Sequence, residues 1–258
     1  MISPPLMEST PHKMYTAFQL VFLFAGLFPP TPYGKFFRGA RLQVPSRLGM
    51  VVIYLPAFLT ACYLFWFQEN TKAWDRLRVV NVLLILHFGK RLIEVMFVHV
   101  YSGTLDLLQA MSVITVSYSV NTYMILYCVG SIPDEDFNPN LLAPGLILFV
   151  VGQFINFYHH YLLASLRIES KKKKTTNGGD KKYFEPRGGL FSSTCCAHYF
   201  GESIAWIGIA LLSQHTNCWL VTVGMVSYLL GRSYSTTRFY RKKLPSYKPR
   251  YHMIPGLF

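Results

Sequence analysis

Acidic side chains are scarce in this sequence. Of 258 residues only 12 are Asp or Glu, against 25 Lys or Arg; charged residues make up 14% and hydrophobic residues 52%. A soluble domain carries roughly a quarter charged residues, so this balance excludes an ordinary soluble fold, and the apolar residues fall in long blocks that read as a polytopic membrane protein. Cysteine is also sparse. Cys62, Cys128 and Cys218 stand alone, and the adjacent Cys195 and Cys196 supply neither a disulfide framework nor a tetrahedral metal site, so no metal and no disulfide is expected. There is no GxGxxG following a strand, which excludes a Rossmann domain as the carrier of any dinucleotide. No base-reading motif accompanies the net charge of +13. The basic residues lie outside the apolar blocks, where they report membrane orientation, and nucleic acid is not an expected partner.

What is present is a series of apolar runs. Met14 to Phe28 is followed by Pro29, Pro30 and Pro32 with no small-residue cleavage site, so it reads as a short membrane helix and not as a signal peptide. Further spans are expected at Leu48 to Phe67, Val79 to Val100, Leu107 to Val129, Leu141 to Ile168, Ile204 to Leu212 and Trp219 to Leu230. The fold class is therefore all-α, a bundle of about seven transmembrane helices in a single domain, residues 1–258. Basic residues crowd the first loop, the Glu169–Lys182 loop and the tail, whereas Asp134, Glu135 and Asp136 make one loop acidic. The positive-inside rule then puts the N-terminus outside and the C-terminus in the cytosol. The connector with Lys72, Arg76 and Arg78 departs from that pattern. Glu169 to Lys182, lysine- and glycine-rich, is expected to be a flexible linker.

Polar residues inside apolar spans single out the candidate chemistry. His87, Lys90, Arg91 and Glu94 recur at helical spacing, one stripe on the third span, with Lys90 and Glu94 placed to pair at i, i+4. Asn156, His159, His160 and Arg167 mark the fifth span. The stretch Tyr183 to Trp206 carries a Pro-Arg-Gly-Gly turn and then His198, Tyr199 and Glu202 on one helix face. Adjacent histidines at 159 and 160 point about 100° apart and do not make a metal pair. Arg187, Arg232, Arg238 and Arg250, with nearby tyrosines, suit a phosphorylated aromatic cofactor.

The motifs GGLF (188–191), HYFGE (198–202), Trp206, the terminal RFY, PSRLGMVVIYLPAF (45–58), HFGKR (87–91) and the Leu-Arg pair at 166–167 resemble the membrane steroid 5α-reductase family, closest to its plant-type branch. The resemblance implies a seven-helix bundle of the endoplasmic reticulum. It also implies NADPH bound in the cytosolic half, residues 141–258, and reduction of a carbon–carbon double bond conjugated to a carbonyl in a lipid or steroid. The family's cofactor contacts fall on Asn156, Arg167, Tyr183, Glu202, Arg232, Tyr240 and Arg250, with His198 where the family has asparagine. At the substrate end, steroid-reducing members carry a Gln-Glu pair and a tyrosine where this chain has Ile53, Tyr54 and Val95. KRLIE (90–94) is instead similar to very-long-chain enoyl-CoA and polyprenol reductases. Tyr54 is the expected acid, oriented by Glu94, with Tyr240 behind it. A non-catalytic scaffold or a lipid-binding protein of the same fold is the other class of reading.

Overall fold

A computed structural model describes residues 13–17, 19–20, 43–67, 75–101, 103–106, 114–177, 185–244, 247–248 and 250–258. Among the described residues six long helices carry the architecture: α1 (Ser46–Trp66), α2 (Arg76–Ile93), α3 (Val116–Gly130), α4 (Leu142–Asn177), α5 (Ala197–Ser213) and α6 (Thr216–Lys243). The described residues are all-α apart from two three-residue strands, β1 (Gln43–Pro45) and β2 (Thr104–Asp106), paired antiparallel. Residues 13–17 and 19–20 are helical, and their Tyr15 hydroxyl and Gln19 amide both donate to Asn121 Oδ1 of α3, at 3.0 and 2.5 Å.

Each helix answers to local chemistry. Pro56 lies inside α1, where it deprives the Val52 carbonyl of its helical donor. The Thr115 hydroxyl donates to that carbonyl at 3.4 Å. Asp75 caps α2 by accepting from Arg78 N–H at 2.6 Å. At its far end α2 passes into a π-helical turn, Glu94–Val98, closed by His99 N–H to Glu94 O at 2.7 Å. The extra residue in that turn places both Glu94 and Val95 inward, each 0% exposed. Between α5 and α6, Gln214 adopts a left-handed φ of 51°. Its amide clasps Asn138 with two bonds, accepting from the N–H and donating to the carbonyl, each at 2.9 Å.

The helices α4 and α5 meet along glycines. A Cβ on Gly152 would lie 2.3 Å from Ala205 N, and one on Gly201 2.5 Å from Asn156 N. Two turns away Gly208 faces Gly145 O and Phe149 N, both 2.6 Å from its virtual Cβ. Glycine at seven-residue spacing on both helices brings the backbones together without side chains between them. This contact fixes the rotation of α5, and hence where His198 and Glu202 point.

Several sequence expectations change here. Glu169–Asn177 is not a loop, because α4 continues through it. Glutamate and lysine favour helix, and extending an existing helix avoids the cost of a new nucleus. The rest of that linker, residues 178–182, lies outside the described residues. The last two spans are longer than their apolar cores, since α5 and α6 absorb the flanking polar residues. Of the described helices, two are long and apolar enough to cross a membrane, over Ser46–Trp66 and Pro139–Ser170.

Candidate functional site

The polar stripe of α2 faces inward, and four helices converge on it. Tyr54 comes from α1; His87, Lys90, Arg91 and Glu94 come from α2 and its π turn; Gln153, Asn156 and His160 come from α4; His198 and Glu202 come from α5. At the centre is Arg91. Its Nη1 donates to Glu94 Oε2 at 2.6 Å and its Nη2 to the Tyr54 hydroxyl at 2.7 Å. The guanidinium carbon lies 4.9 Å from the centroid of the Tyr54 ring, which stacks on Tyr118 at 5.8 Å. The expectation that Glu94 itself orients the Tyr54 phenol is therefore corrected: Glu94 holds Arg91, and Arg91 holds Tyr54.

Glu94 is fully buried and heavily countered. Lys90 Nζ lies 3.1 Å from Oε1, the expected i, i+4 pair, and His160 Nδ1 lies 3.2 Å from Oε2. Arg91 Nη1 is 3.1 Å from one His160 ring nitrogen and 3.5 Å from the other. Such similar distances set the guanidinium off the Nδ1 lone-pair axis, so Nδ1 carries the proton and donates to Glu94. Oε2 is hydrogen-bonded and Oε1 faces the Lys90 ammonium, the kind of pairing under which a buried charge is tolerated.

Lys90 also donates to Asn156 Oδ1, and Asn156 Nδ2 donates to the His198 carbonyl at 2.9 Å. On the other flank Gln153 Nε2 donates to His87 Nδ1 at 2.8 Å, which leaves His87 Nε2 to carry the proton toward Glu202 Oε1 at 3.4 Å. These contacts join four expected site residues, Tyr54, Glu94, Asn156 and His198, through Arg91 and Lys90, and a flanking set joins Gln153, His87 and the expected Glu202. Arg91, Lys90 and His87 were visible as a stripe without a role. Gln153 had no sequence signal, and His160 had only its polarity. His159 is a positioning residue of another kind. Its Nδ1 donates to Ile155 O at 2.7 Å and its Nε2 accepts from Leu190 N–H at 3.0 Å, which pins the Gly188–Gly189 turn, where φ is 90° and 51°.

The remaining expected residues are placed separately. Arg232 is buried, with Nε 3.4 Å from the Tyr199 hydroxyl and Nη1 3.5 Å from the Tyr228 hydroxyl. Tyr199 follows His198, so this arginine adjoins the central network. Tyr240 stacks on Tyr247 at 5.8 Å, in a cluster with Cys195 and Cys196. Arg167 is exposed and donates to Val100 O at 2.8 Å. Tyr183 lies outside the described residues.

Arg250 is engaged as a latch. It donates to Pro186 O at 2.8 Å, to Phe191 O at 2.6 Å and to Glu185 Oε1 at 2.7 Å. Around it the C-terminal segment pairs with the 193–196 backbone, Cys195 N–H to Tyr251 O at 2.8 Å and Cys196 N–H to His252 O at 3.0 Å. His252 Nδ1 meets Thr237 Oγ1 at 2.8 Å. Thr237 spends its own proton on Ser233 O at 3.0 Å, so the imidazole N–H is the donor. Burial, and then Arg241, hold His252 below its ordinary pKa.

Residues 97–258 match the family described as 3-oxo-5-alpha-steroid 4-dehydrogenase. The chain is 29% identical over 227 residues to human 3-oxo-5-alpha-steroid 4-dehydrogenase 1, covering 84% of this chain and 82% of the relative. It is 27% identical over 236 residues to human 3-oxo-5-alpha-steroid 4-dehydrogenase 2, with 89% of each covered. Similarity extends to the very-long-chain enoyl-CoA reductase of Dictyostelium discoideum, 25% identical over 207 residues, 80% of this chain and 65% of that protein. The family match spans well over half of the sequence and contains Asn156, His160, His198 and Glu202, and on that ground the chain belongs to the 3-oxo-5-alpha-steroid 4-dehydrogenase family.

Proposed function

We propose that this chain is a membrane-embedded, NADPH-dependent reductase of a carbon–carbon double bond conjugated to a carbonyl in a lipid, with 4-en-3-oxo steroids as the first substrate class. The observation that carries the reading is the phenol of Tyr54, seated on the Arg91–Glu94 pair and linked through Lys90 to Asn156 and the His198 carbonyl, with the His87–Glu202 pair alongside. The residues fit a nicotinamide dinucleotide: the buried Nδ1 of His198 has no hydrogen-bond partner among the described residues, and a ligand amide or hydroxyl would satisfy it. Asn156, His198 and Glu202 would hold the nicotinamide end, and Arg232 and Arg167 the phosphates. Bound there, the dinucleotide would supply the hydride.

The protein's own part is electrostatic. As the β-carbon of the enone is reduced, negative charge develops on the carbonyl oxygen, and a positioned phenol donating to it contributes typically about 10²- to 10⁴-fold. Support for the membrane setting comes from the two apolar helices and from the basic loops and tail. The arrangement proposed is seven spans in the endoplasmic reticulum with a cytosolic C-terminus.

A second reading, reduction of a very-long-chain 2-enoyl-CoA, is favoured by one feature: Val95 is fully buried and apolar beside Glu94, where steroid-reducing members carry a tyrosine. Purified protein in detergent, given NADPH and a panel of 4-en-3-oxo steroids, 2-enoyl-CoAs and polyprenols with products identified by mass, decides between them. No reduced product from any member would overturn the enzyme reading. Arg232→Ala is expected to weaken NADPH binding by about 1.5 to 3 kcal/mol, the worth of a hydrogen bond to a charged group, measured by nucleotide fluorescence titration.

A further inference from the structure

We infer that Arg91 is a positioning residue that acts through Tyr54, directing the phenol's proton toward the substrate carbonyl and stabilising the phenolate left when that proton is given up. The inference rests on the reading of Tyr54 as hydrogen-bond donor. Three observations carry it.

First, Arg91 offers its two terminal nitrogens to different partners: Nη1 to Glu94 at 2.6 Å and Nη2 to Tyr54 Oη at 2.7 Å. A guanidinium has no acceptor, so Tyr54 oxygen must accept in that contact. A hydroxyl has one proton, which then points away from Arg91. Second, the cation is fixed in place. Glu94 is fully buried, lies beside Lys90 and His160 as well as Arg91, and stands at the first residue of the π turn that rotates it inward. Third, Glu94, His99 and His160 bring three ligand-type atoms within 4.8 Å of one another, yet the Arg91 guanidinium contacts two of these three residues. Fixed positive charge stands where such a cluster would otherwise hold a cation, and it is aimed at a phenol oxygen.

The chemistry balances. With a hydride supplied to the β-carbon by a bound nicotinamide dinucleotide, the Tyr54 O–H bond would break as an O–H bond forms on the substrate oxygen, giving an enol and a phenolate. The enol returns that proton to the phenolate as its α-carbon takes one from solvent. The sum is one hydride and one solvent proton added across the double bond. Arg91 lowers the energy of the middle state, where the phenolate carries the charge, at an oxygen shielded from water. A plain ion pair with Glu94 at i, i+3 would need neither the second nitrogen nor the phenol.

The test uses the full chain in detergent, with a 4-en-3-oxo steroid as probe and a 2-enoyl-CoA as the second probe. Arg91→Met removes the donor. Arg91→Lys keeps the charge and the ion pair with Glu94, but a single ammonium cannot bridge both partners as the planar fork does. Single-turnover hydride transfer is expected to fall about 10²-fold in either variant, as when one oxyanion-hole donor is removed. In a Tyr54→Phe background the same changes should cost less than about threefold, since Arg91 then has no phenol to act through. A second readout needs no turnover. With NADP+ present, the ultraviolet absorption of the bound enone shifts to longer wavelength when its carbonyl accepts a strong hydrogen bond, and that shift should shrink equally in Arg91→Lys and Tyr54→Phe.

Full activity and full shift in a folded Arg91→Lys protein overturn the inference while leaving the reductase reading intact. So does an Arg91 loss that simply adds to the Tyr54→Phe loss. No shift with either probe in the native protein overturns both.

Discussion

The individual side chains separate into those that hold charge for chemistry and those that hold backbone in place. His159 belongs to the second kind, because its two nitrogens are spent on Ile155 O and Leu190 N–H. His159→Ala is expected to cost about 1 to 3 kcal/mol by leaving a partly buried amide without its acceptor. Melting temperature in detergent checks this, and nucleotide affinity should follow only if the Gly188–Gly189 turn moves with it. In the sequence, His159 and His160 were equivalent polar residues in an apolar run. Their different roles follow from the roughly 100° between adjacent helical positions: one meets the 189–192 turn, the other meets Glu94. Tyr54 and Glu94 could be picked out by residue type and spacing, but Arg91 between them could not, because which cation bridges two helices depends on their rotation.

At the scale of elements, the α4–α5 seam does most to place the site. Gly152→Ala drives a methyl to within 2.3 Å of Ala205 N, a backbone atom that cannot step aside. The expected result is loss of folded protein, or a melting temperature lowered by several degrees, as overpacking costs typically 1–3 kcal/mol or more. Gly130→Ala is the contrasting variant. Its new methyl would meet the Leu77 side chain at 3.2 Å, a flexible neighbour, and stability should change by less than about 1 kcal/mol. Equal effects of the two would show that the seam is not a close backbone contact. The periodicity of these glycines lies in the sequence, but glycine is common in membrane helices, and only the facing helix reveals that 145 and 152 oppose 208 and 201.

For the whole molecule, the C-terminal segment closes the basic face by pairing with residues 193–196 and by docking His252 on α6. The His252 pKa is lowered by burial and by Arg241. A depressed histidine pKa means that the docked form prefers the neutral ring, so the latch is at full strength above the free value of about 6.5 and weakens as pH falls below it. Amide protection of Cys195 and Cys196, read by hydrogen exchange and corrected for intrinsic rates, is expected to drop below about pH 6.5 in the native chain. In His252→Gln the protection should not vary with pH. Membrane orientation has its own test. An engineered N-glycosylation site in the Asp134–Asp136 loop should be modified in cells, and one in the tail should not. The reverse pattern would invert the proposed topology.

The sequence by itself determined the helical class and the positions of most of the described helices, because hydropathy, proline stops and glycine spacing act within a few residues of one another. It also determined family membership, through motifs that stay contiguous in the chain. Only the tertiary structure decided how Tyr54 and Glu94 relate, through Arg91, and that Arg250 serves as a latch. It also decided that α4 runs on into the lysine-rich segment. These outcomes depend on helix rotation, which is set by the local π turn at Glu94 together with contacts between segments far apart in sequence: the Thr115 hydroxyl that answers Pro56, and the glycine seam that lets α4 and α5 touch.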